Sequence, residues 1–226
     1  MHNKLVLFDF DGTLVDSAPD LANSANYIRT LHNLDPLPLA YLRPYASKGA
    51  RGLLKAALNL ETDHPDYEQQ KDIFLAHYAA NSTLHSSLFD GVDTLIEQLN
   101  DLGLGWGVVT NKVVHLTQPI MDHFGLSQTS KVLVGGDSTP HIKPHPAPLL
   151  LACELTGIAP ENCIYIGDDE RDIVAGKAAG MATLVAAYGY CDFDPAIASW
   201  QADYVSQHAQ EILPHVLDGA PLSGRT

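Results

Sequence analysis

The chain has few positively charged residues and few cysteines, and it lacks a long hydrophobic run. Its 226 residues contain 13 Lys plus Arg against 27 Asp plus Glu, which gives a formal net charge of −14. A nucleic-acid surface needs clustered positive charge and an anionic membrane attracts basic segments, so neither partner is expected. The apolar run Leu5 to Phe8 near the start is too short for a secretory signal or a membrane span. We therefore expect a cytoplasmic protein.

The three cysteines are odd in number and do not have the spacing of a metal site. They are Cys153, Cys163 and Cys191. We expect them to be reduced thiols, which fits a reducing compartment. Hydrophobic residues make up 46% of the chain and charged residues 18%, values that are typical of an ordinary globular protein. The length corresponds to one large domain, or to one domain with an insertion.

The order of strand-like and helix-like segments predicts an α/β fold. One apolar strand comes first, a helical block follows, and from Phe89 onward strands and helices alternate. This order implies a doubly wound parallel sheet of the Rossmann-like kind with an inserted helical domain. We expect the α/β core to contain residues 1–15 and 87–226 and the helical domain to contain residues 16–86. The insertion is expected to lie as a lid over the carboxyl edge of the sheet.

Two carboxylates stand one residue apart where the first strand ends, at Asp9 and Asp11, and Gly12 follows them. Glycine permits a turn that other residues resist. Chemistry in an open α/β sheet collects outside the carboxyl ends of the strands, so these acids are candidates for a site. One carboxylate can attack a substrate while its neighbour moves protons. An acidic strand exit with no function is the alternative for this motif alone.

Three further polar clusters follow later strands or open later helices. They are Thr110 with Asn111; Lys143; and Asp168 with Asp169 and Asp172. Each cluster has a simple structural explanation, such as a helix cap or a surface lysine. In a doubly wound sheet, however, all of them project toward one edge. Their combination therefore predicts an active site.

At this point the sequence resembles the haloacid dehalogenase superfamily of phosphatases. The resemblance covers almost the whole chain and depends on four motifs, which are Asp9-Phe10-Asp11-Gly12-Thr13, Val108-Val109-Thr110-Asn111-Lys112, Lys143-Pro144-His145-Pro146 and Ile166-Gly167-Asp168-Asp169-Glu170-Arg171-Asp172. The helical insertion looks like the cap of the phosphoglycolate phosphatase-like branch. Tyr188-Gly189-Tyr190 also looks like that branch.

The resemblance implies a role for each matched residue. Asp9 would be the nucleophile that forms an aspartyl-phosphate, and Asp11 the general acid and base. Mg²⁺ would bind the Asp9 carboxylate, the Asp11 backbone carbonyl and Asp168. Thr110 and the Asn111 backbone would bind the phosphoryl group, and Lys143 would balance its charge. The remaining residues would have supporting roles: Gly12 forms the turn, Asp172 supports Lys143 or the metal's outer shell, and Asp169 either supports the metal or favours the helix N-terminus.

The expected activity is a Mg²⁺-dependent phosphatase that acts on a small phosphorylated metabolite as a monomer or homodimer. Phosphoglycolate is the leading substrate, and its carboxylate would need a cation such as Arg43, Lys48 or Arg51 in the insertion. N-acetylmuramic acid 6-phosphate also carries a carboxylate and is the alternative, because residues 47–51 look somewhat like the cap loop of relatives that act on it. A sugar phosphomutase of the beta-phosphoglucomutase type is a further alternative. Lys48 and Arg51 are otherwise explained as solvated residues at a helix start.

Overall fold

The computed structural model of the protein describes residues 4–193 and 197–218. Its strands, numbered in chain order, are β1 (Leu5–Phe8), β2 (Val15–Asp16), β3 (Ser87–Leu88), β4 (Gly105–Val109), β5 (Leu133–Val134), β6 (Cys163–Gly167), β7 (Ala182–Ala186) and β8 (Tyr204–Ser206). Its α-helices are α1 (Ala18–Leu31), α2 (Leu39–Leu42), α3 (Gly49–Leu58), α4 (Tyr67–Asn81), α5 (Val92–Asp101), α6 (Val114–His123), α7 (Ala147–Thr156), α8 (Glu170–Ala178) and α9 (Ile212–Asp218). Across the described residues, no helix is both long and apolar enough to cross a bilayer.

The chain divides into two compact units. One unit, the core unit, contains the described residues up to Leu14 and from Leu88 onward. The other, the helical insertion, spans Val15–Ser87. The two-residue strands β2 and β3 pair with each other near the points where the chain passes from one unit to the other. Sequence patterns did not predict these strands, because two residues are too few for an alternation to be recognised.

The core unit contains a six-stranded parallel sheet flanked by helices. The strand order is β5-β4-β1-β6-β7-β8. The predicted α/β class with a doubly wound parallel sheet is therefore confirmed. In the register of the central strands, Phe8 at the end of β1 lies opposite Val108 of β4 and Ile166 of β6. The residues that follow these three strands consequently meet at one edge of the sheet.

Buried apolar runs explain why the central strands form where they do. All four residues of β1 and all five residues of β6 are buried. Strands covered on both faces have continuous hydrophobic sequences of this kind rather than an alternating pattern. Below the sheet edge, a cluster that includes Leu7, Val109, Leu149 and Tyr165 forms part of the core. This packing gives the polar residues beyond the strand ends a rigid base.

The helical insertion is organised around α1, which packs on α3 and α4. The helix begins at Ala18, and Ser17 at its N-cap position makes no side-chain capping hydrogen bond. Within α1, Asp20 is buried and accepts hydrogen bonds from the backbone N–H groups of His85 at 3.0 Å and Ser86 at 2.9 Å. The Ser86 hydroxyl donates a third bond to Asp20 at 2.7 Å. A buried carboxylate is tolerated here because donors of the returning chain satisfy it.

Candidate active site

The turn after β1 presents Asp9 and Asp11 at the carboxyl edge of the sheet. The Asp9 oxygen Oδ1 accepts a hydrogen bond from the Phe10 backbone N–H at 2.7 Å, which orients the carboxylate. Gly12 has a φ of +84°. A Cβ atom on Gly12 would lie 2.2 Å from an oxygen of Asp168. Glycine is therefore required both by the turn and by the close approach of a second acid.

Lys143 places a buried ammonium beside the candidate nucleophile. Its side chain is only 2% exposed, and Nζ lies 2.9 Å from Asp9 Oδ1 and 2.7 Å from Asp172 Oδ1. Nζ also donates to the hydroxyl of Tyr165 at 2.7 Å and approaches the Val109 carbonyl at 3.3 Å. Burial lowers the pKa of Lys143, but the neighbouring carboxylates outweigh that effect and raise it above its ordinary value. The ammonium is therefore charged at neutral pH.

Three carboxylates converge at the same point. Oxygen atoms of Asp9, Asp168 and Asp172 lie within 4.8 Å of one another, and Asp168 and Asp172 are buried. Burial, with the charge of the other acids, raises the pKa of Asp168 well above its ordinary value. Burial also raises the pKa of Asp172, to about 7, although Lys143 opposes this effect. An oxygen-only cluster of crowded buried acids suits a hard divalent cation, so these residues fit a metal of the Mg²⁺ kind.

Asp168 is held in place by groups from two distant parts of the chain. The Thr13 hydroxyl donates to Asp168 Oδ1 at 3.2 Å, and the Tyr190 backbone N–H donates to Oδ2 at 2.9 Å. Gly189 lies so close that a Cβ atom would be 2.5 Å from the Asp168 Cβ. The Tyr188 hydroxyl donates a hydrogen bond to the Thr13 carbonyl at 3.0 Å, which links the two parts of the chain that hold Asp168. The resemblance to the phosphatase branch includes residues 188–190 but implies no role for them.

Asp11 pairs with a lysine that sequence analysis quoted only as part of a motif. Lys112 Nζ lies 2.6 Å from Asp11 Oδ1, and the Lys112 side chain is 9% exposed. The same ammonium lies 5.7 Å from the centre of the Phe10 ring. Lys112 therefore adds a second cation to the acidic site. Its place in the motif after Thr110 drew attention to it, but nothing in the sequence shows that it meets Asp11.

Thr110 and Asn111 follow β4, as the sequence predicts. Thr110 is 3% exposed, and its hydroxyl accepts a hydrogen bond from the Lys112 backbone N–H at 3.2 Å. The side chain of Asn111 bonds the backbone of Lys143. The structure therefore brings Asp9, Asp11, Thr110, Asn111, Lys143, Asp168 and Asp172 to one edge of the core unit.

Asp169 lies next to this cluster, but its side chain has a different set of partners. It occupies the N-cap position of α8 and accepts a hydrogen bond from the Arg171 backbone N–H at 2.9 Å. The Arg171 guanidinium also binds it, at 2.7 Å. Burial raises the pKa of Asp169, but the bonds and charge of Arg171 prevail and lower it overall. Of the two roles considered for Asp169, these contacts favour helix capping.

The candidate substrate-binding cations Arg43, Lys48 and Arg51 belong to the helical insertion. Arg43 begins a 3₁₀ helix that ends at Lys48, and its guanidinium forms an ion pair with Asp16 of the same unit. Lys48 and Arg51 are exposed at the start of α3. Within the insertion the three cations therefore lie along one short segment.

Comparison with known proteins identifies the family. The sequence model of the haloacid dehalogenase-like hydrolases matches residues 6–186. A phosphoglycolate phosphatase from Xanthomonas campestris is 42% identical over 209 residues, which cover 92% of this chain and 94% of that protein. An N-acetylmuramic acid 6-phosphate phosphatase from Pseudomonas aeruginosa is 41% identical over 220 residues, which cover 97% of each protein.

A solved structure agrees with these sequence matches. It is the crystal structure of a predicted phosphoglycolate phosphatase from Haemophilus somnus, with a TM-score of 0.84 and 33% sequence identity. The match covers 95% of this chain and 98% of that one. The chain therefore belongs to the haloacid dehalogenase-like hydrolase family. Within the family it is a phosphatase of the phosphoglycolate phosphatase-like kind, and the resemblance drawn from its four motifs is confirmed.

Proposed function

We propose that the protein is a Mg²⁺-dependent phosphomonoesterase that acts through an aspartyl-phosphate, with phosphoglycolate as its substrate. The observation that carries this proposal is the placement of Asp9 between the buried ammonium of Lys143, 2.9 Å away, and a cluster of oxygen ligands. Such a site can bind a dianionic phosphoryl group only if cations surround it. In this proposal, the enzyme acts in the cytoplasm and its substrate is a small phosphorylated metabolite.

The reaction divides into two displacements at phosphorus. An Asp9 carboxylate oxygen attacks the phosphorus and forms a P–O bond, while the bond to the substrate oxygen breaks and Asp11 supplies a proton to that oxygen. A water then attacks the aspartyl-phosphate, Asp11 takes the water's proton, and the bond to Asp9 breaks. Thr110 donates a hydrogen bond to a phosphoryl oxygen, and Lys143 offsets the charge shared by the phosphoryl group and Asp9.

A divalent cation would be held by the Asp9 carboxylate, the Asp11 backbone carbonyl and Asp168. When bound, it supplies charge that stabilises the phosphoryl oxygens and orients them for displacement. The contacts from Thr13 and Tyr190 to Asp168 fix the direction of that carboxylate. Asp172 also belongs to the acidic cluster, but its bond to Lys143 at 2.7 Å supports a role in orienting the lysine. We assign it that supporting role.

We further propose that the insertion Val15–Ser87 is the cap that selects the substrate, and that its cations bind the substrate's carboxylate. Support comes from Arg43, Lys48 and Arg51, which lie on one segment of that unit. Charge-removing variants Lys48→Met and Arg51→Met are expected to raise KM for 2-phosphoglycolate. They should leave KM for ethyl phosphate, which lacks the carboxylate, unchanged. Lys55→Met on the same helix is the matched control.

The first experiment measures kcat/KM for 2-phosphoglycolate and for N-acetylmuramic acid 6-phosphate, both with Mg²⁺. We expect a strong preference for phosphoglycolate and a loss of activity in excess EDTA that added Mg²⁺ reverses. Full activity in excess EDTA would contradict the metal assignment. The relative from Pseudomonas aeruginosa makes the sugar phosphate a second candidate. A preference for N-acetylmuramic acid 6-phosphate would identify that compound as the substrate instead of phosphoglycolate. Turnover that needs a sugar bisphosphate would indicate a phosphomutase instead.

A further inference from the structure

We propose that Asn111 and Tyr165 are positioning residues that fix the two ends of Lys143, an inference that rests on the proposed function. Lysine carries its charge on a flexible four-carbon chain, so its ammonium is accurately placed only if other groups restrain it. Lys143 and Asn111 belong to two different motifs among the four, and Tyr165 lies in β6 directly before the last motif.

Asn111 holds the backbone end of the lysine. Its Oδ1 accepts a hydrogen bond from the Lys143 backbone N–H at 2.9 Å, and its Nδ2 donates to the Lys143 carbonyl at 3.0 Å. One side-chain amide thus satisfies both polar groups of one residue. An amide suits this task because it carries a donor and an acceptor side by side, whereas an ionised carboxylate only accepts.

Tyr165 holds the ammonium end. Its hydroxyl accepts a hydrogen bond from Lys143 Nζ at 2.7 Å and donates to the carbonyl of Val109, also at 2.7 Å. The ammonium has three N–H groups, and Asp9 and Asp172 accept from two of them. Tyr165 is fully buried, and burial raises the pKa of its phenol well above the ordinary value, so the hydroxyl keeps its proton.

The order of the strands explains why two restraints are needed. Asn111 follows β4 and Tyr165 lies in β6, and β1 runs between these two strands. Asp9 follows β1, so Lys143 is fixed on both sides of the nucleophile. A misplacement of about 1 Å at a reacting centre can cost about 100-fold in rate. Loss of either restraint should therefore lower turnover more than it lowers substrate binding.

The experiment uses the full-length protein, with p-nitrophenyl phosphate and Mg²⁺ as the probe. Tyr165→Phe keeps the buried ring and removes only the hydroxyl. Asn111→Asp keeps the acceptor, removes the donor and adds a negative charge, which the control Asn100→Asp adds as well. Each variant is expected to lower kcat by about 10- to 100-fold and to change KM much less. A loss of this size is typical when a group that orients a metal ligand is removed, and we expect the same for groups that orient Lys143. Tyr204→Phe and Asn100→Asp are matched controls in the same unit and should keep wild-type kcat.

A second set of measurements separates positioning from general damage to the fold. In a Lys143→Met background, Tyr165→Phe and Asn111→Asp should cause no further loss of kcat, because the side chain they position is gone. In urea unfolding, Tyr165→Phe and Lys143→Met should be non-additive. Asn111→Asp and Lys143→Met should be additive, because the backbone that Asn111 binds remains.

Several outcomes would overturn the inference. One is wild-type kcat in both single variants, and another is an equal loss of kcat whether or not Lys143 is present. Failure of the proposed function has a different signature, since the wild-type protein would then release no phosphate. The urea measurements would still report the contact between Tyr165 and Lys143 in that case, and additive shifts there would contradict it.

Discussion

Replacement of Lys143 by methionine tests the electrostatic account of the site most directly. Methionine fills a similar volume but removes the charge. In Lys143→Met, the carboxylates of Asp9 and Asp172 would lose an ammonium that lies 2.9 Å and 2.7 Å away. Removal of one partner from a buried ion pair leaves an uncompensated charge, which typically costs about 3–5 kcal/mol. We expect a loss of stability of that size in the absence of a divalent cation.

The assay is thermal or urea unfolding in the presence of EDTA, so that no bound metal offsets the loss of the ammonium. For a protein of this length, a loss of about 1 kcal/mol in the free energy of unfolding lowers Tm by about 2–4 °C. The loss expected for Lys143→Met should therefore lower Tm by roughly 6–20 °C. A double-variant cycle with Asp172→Asn gives the coupling between the two residues. Asparagine has a single acceptor oxygen, so it can keep either the contact with Lys143 or the hydrogen bond from the Asp169 backbone N–H, and it has no charge to leave unpaired.

The double variant Lys143→Met with Asp172→Asn should therefore be more stable than the sum of the two single losses, by about 0.5–3 kcal/mol. Strict additivity would show that Lys143 and Asp172 do not interact as the distances indicate. A Lys143→Met protein that unfolds within about 0.5 kcal/mol of wild type would refute the reasoning altogether, because changes of that size are typical of surface substitutions.

Three further predictions concern catalysis, metal binding and pH. Asp9→Asn should abolish Mg²⁺-dependent turnover with the fold intact, because it removes the nucleophilic carboxylate but keeps the shape of the side chain. Gly189→Ala should weaken Mg²⁺ binding, measured by calorimetry, and lower stability by about 1–3 kcal/mol, since its Cβ would lie 2.5 Å from the Asp168 Cβ. Burial lowers the pKa of His77. Stability of the insertion, followed by unfolding at several pH values, should therefore fall as pH drops below about 6.5, and His77→Gln should reduce that fall.

Each of these predictions has a matched control in the chain. Asp101→Asn changes an exposed aspartate at the end of α5 and should leave turnover intact. Gly105→Ala adds the same methyl group where its closest neighbour is 3.4 Å away, so it should bind Mg²⁺ normally. His32→Gln alters an exposed histidine of the insertion and serves as the matched control for His77→Gln. Near-normal turnover by Asp9→Asn would show that Asp9 is not the nucleophile.

The sequence predicts much of this architecture because its strongest signals are local. Apolar runs predict β1, β6 and β7, and the acids and glycines that follow mark where those strands end. In a parallel sheet, knowledge of the strand ends is enough to bring Asp9, Thr110 and Asp168 to one edge. The fold class and the position of the site follow from that single step.

The contacts that complete the site are different, because they join residues far apart in the chain. Asn111 binds Lys143 across 32 positions, and Lys112 binds Asp11 across 101. Tyr165 has the appearance of an ordinary core residue of β6, and nothing in its neighbours shows that its hydroxyl meets an ammonium. Periodicity reports which face of an element is buried, but it does not report which polar atom lies opposite. These partners were therefore visible only in the structure.

Charge gives a physical reason for the proposed dependence of this site on a divalent cation. Asp9, Asp168 and Asp172 bring three negative charges to one buried point, and Lys143 offsets one of them. When all three are ionised the cluster has a net charge of −3 + 1 = −2, within a chain whose formal net charge is −14. A phosphoryl dianion would be repelled from such a site, whereas one divalent cation makes the cluster neutral. Removal of Mg²⁺ should accordingly prevent substrate binding as well as chemistry, so a loss of kcat alone in EDTA would be inconsistent with this charge balance.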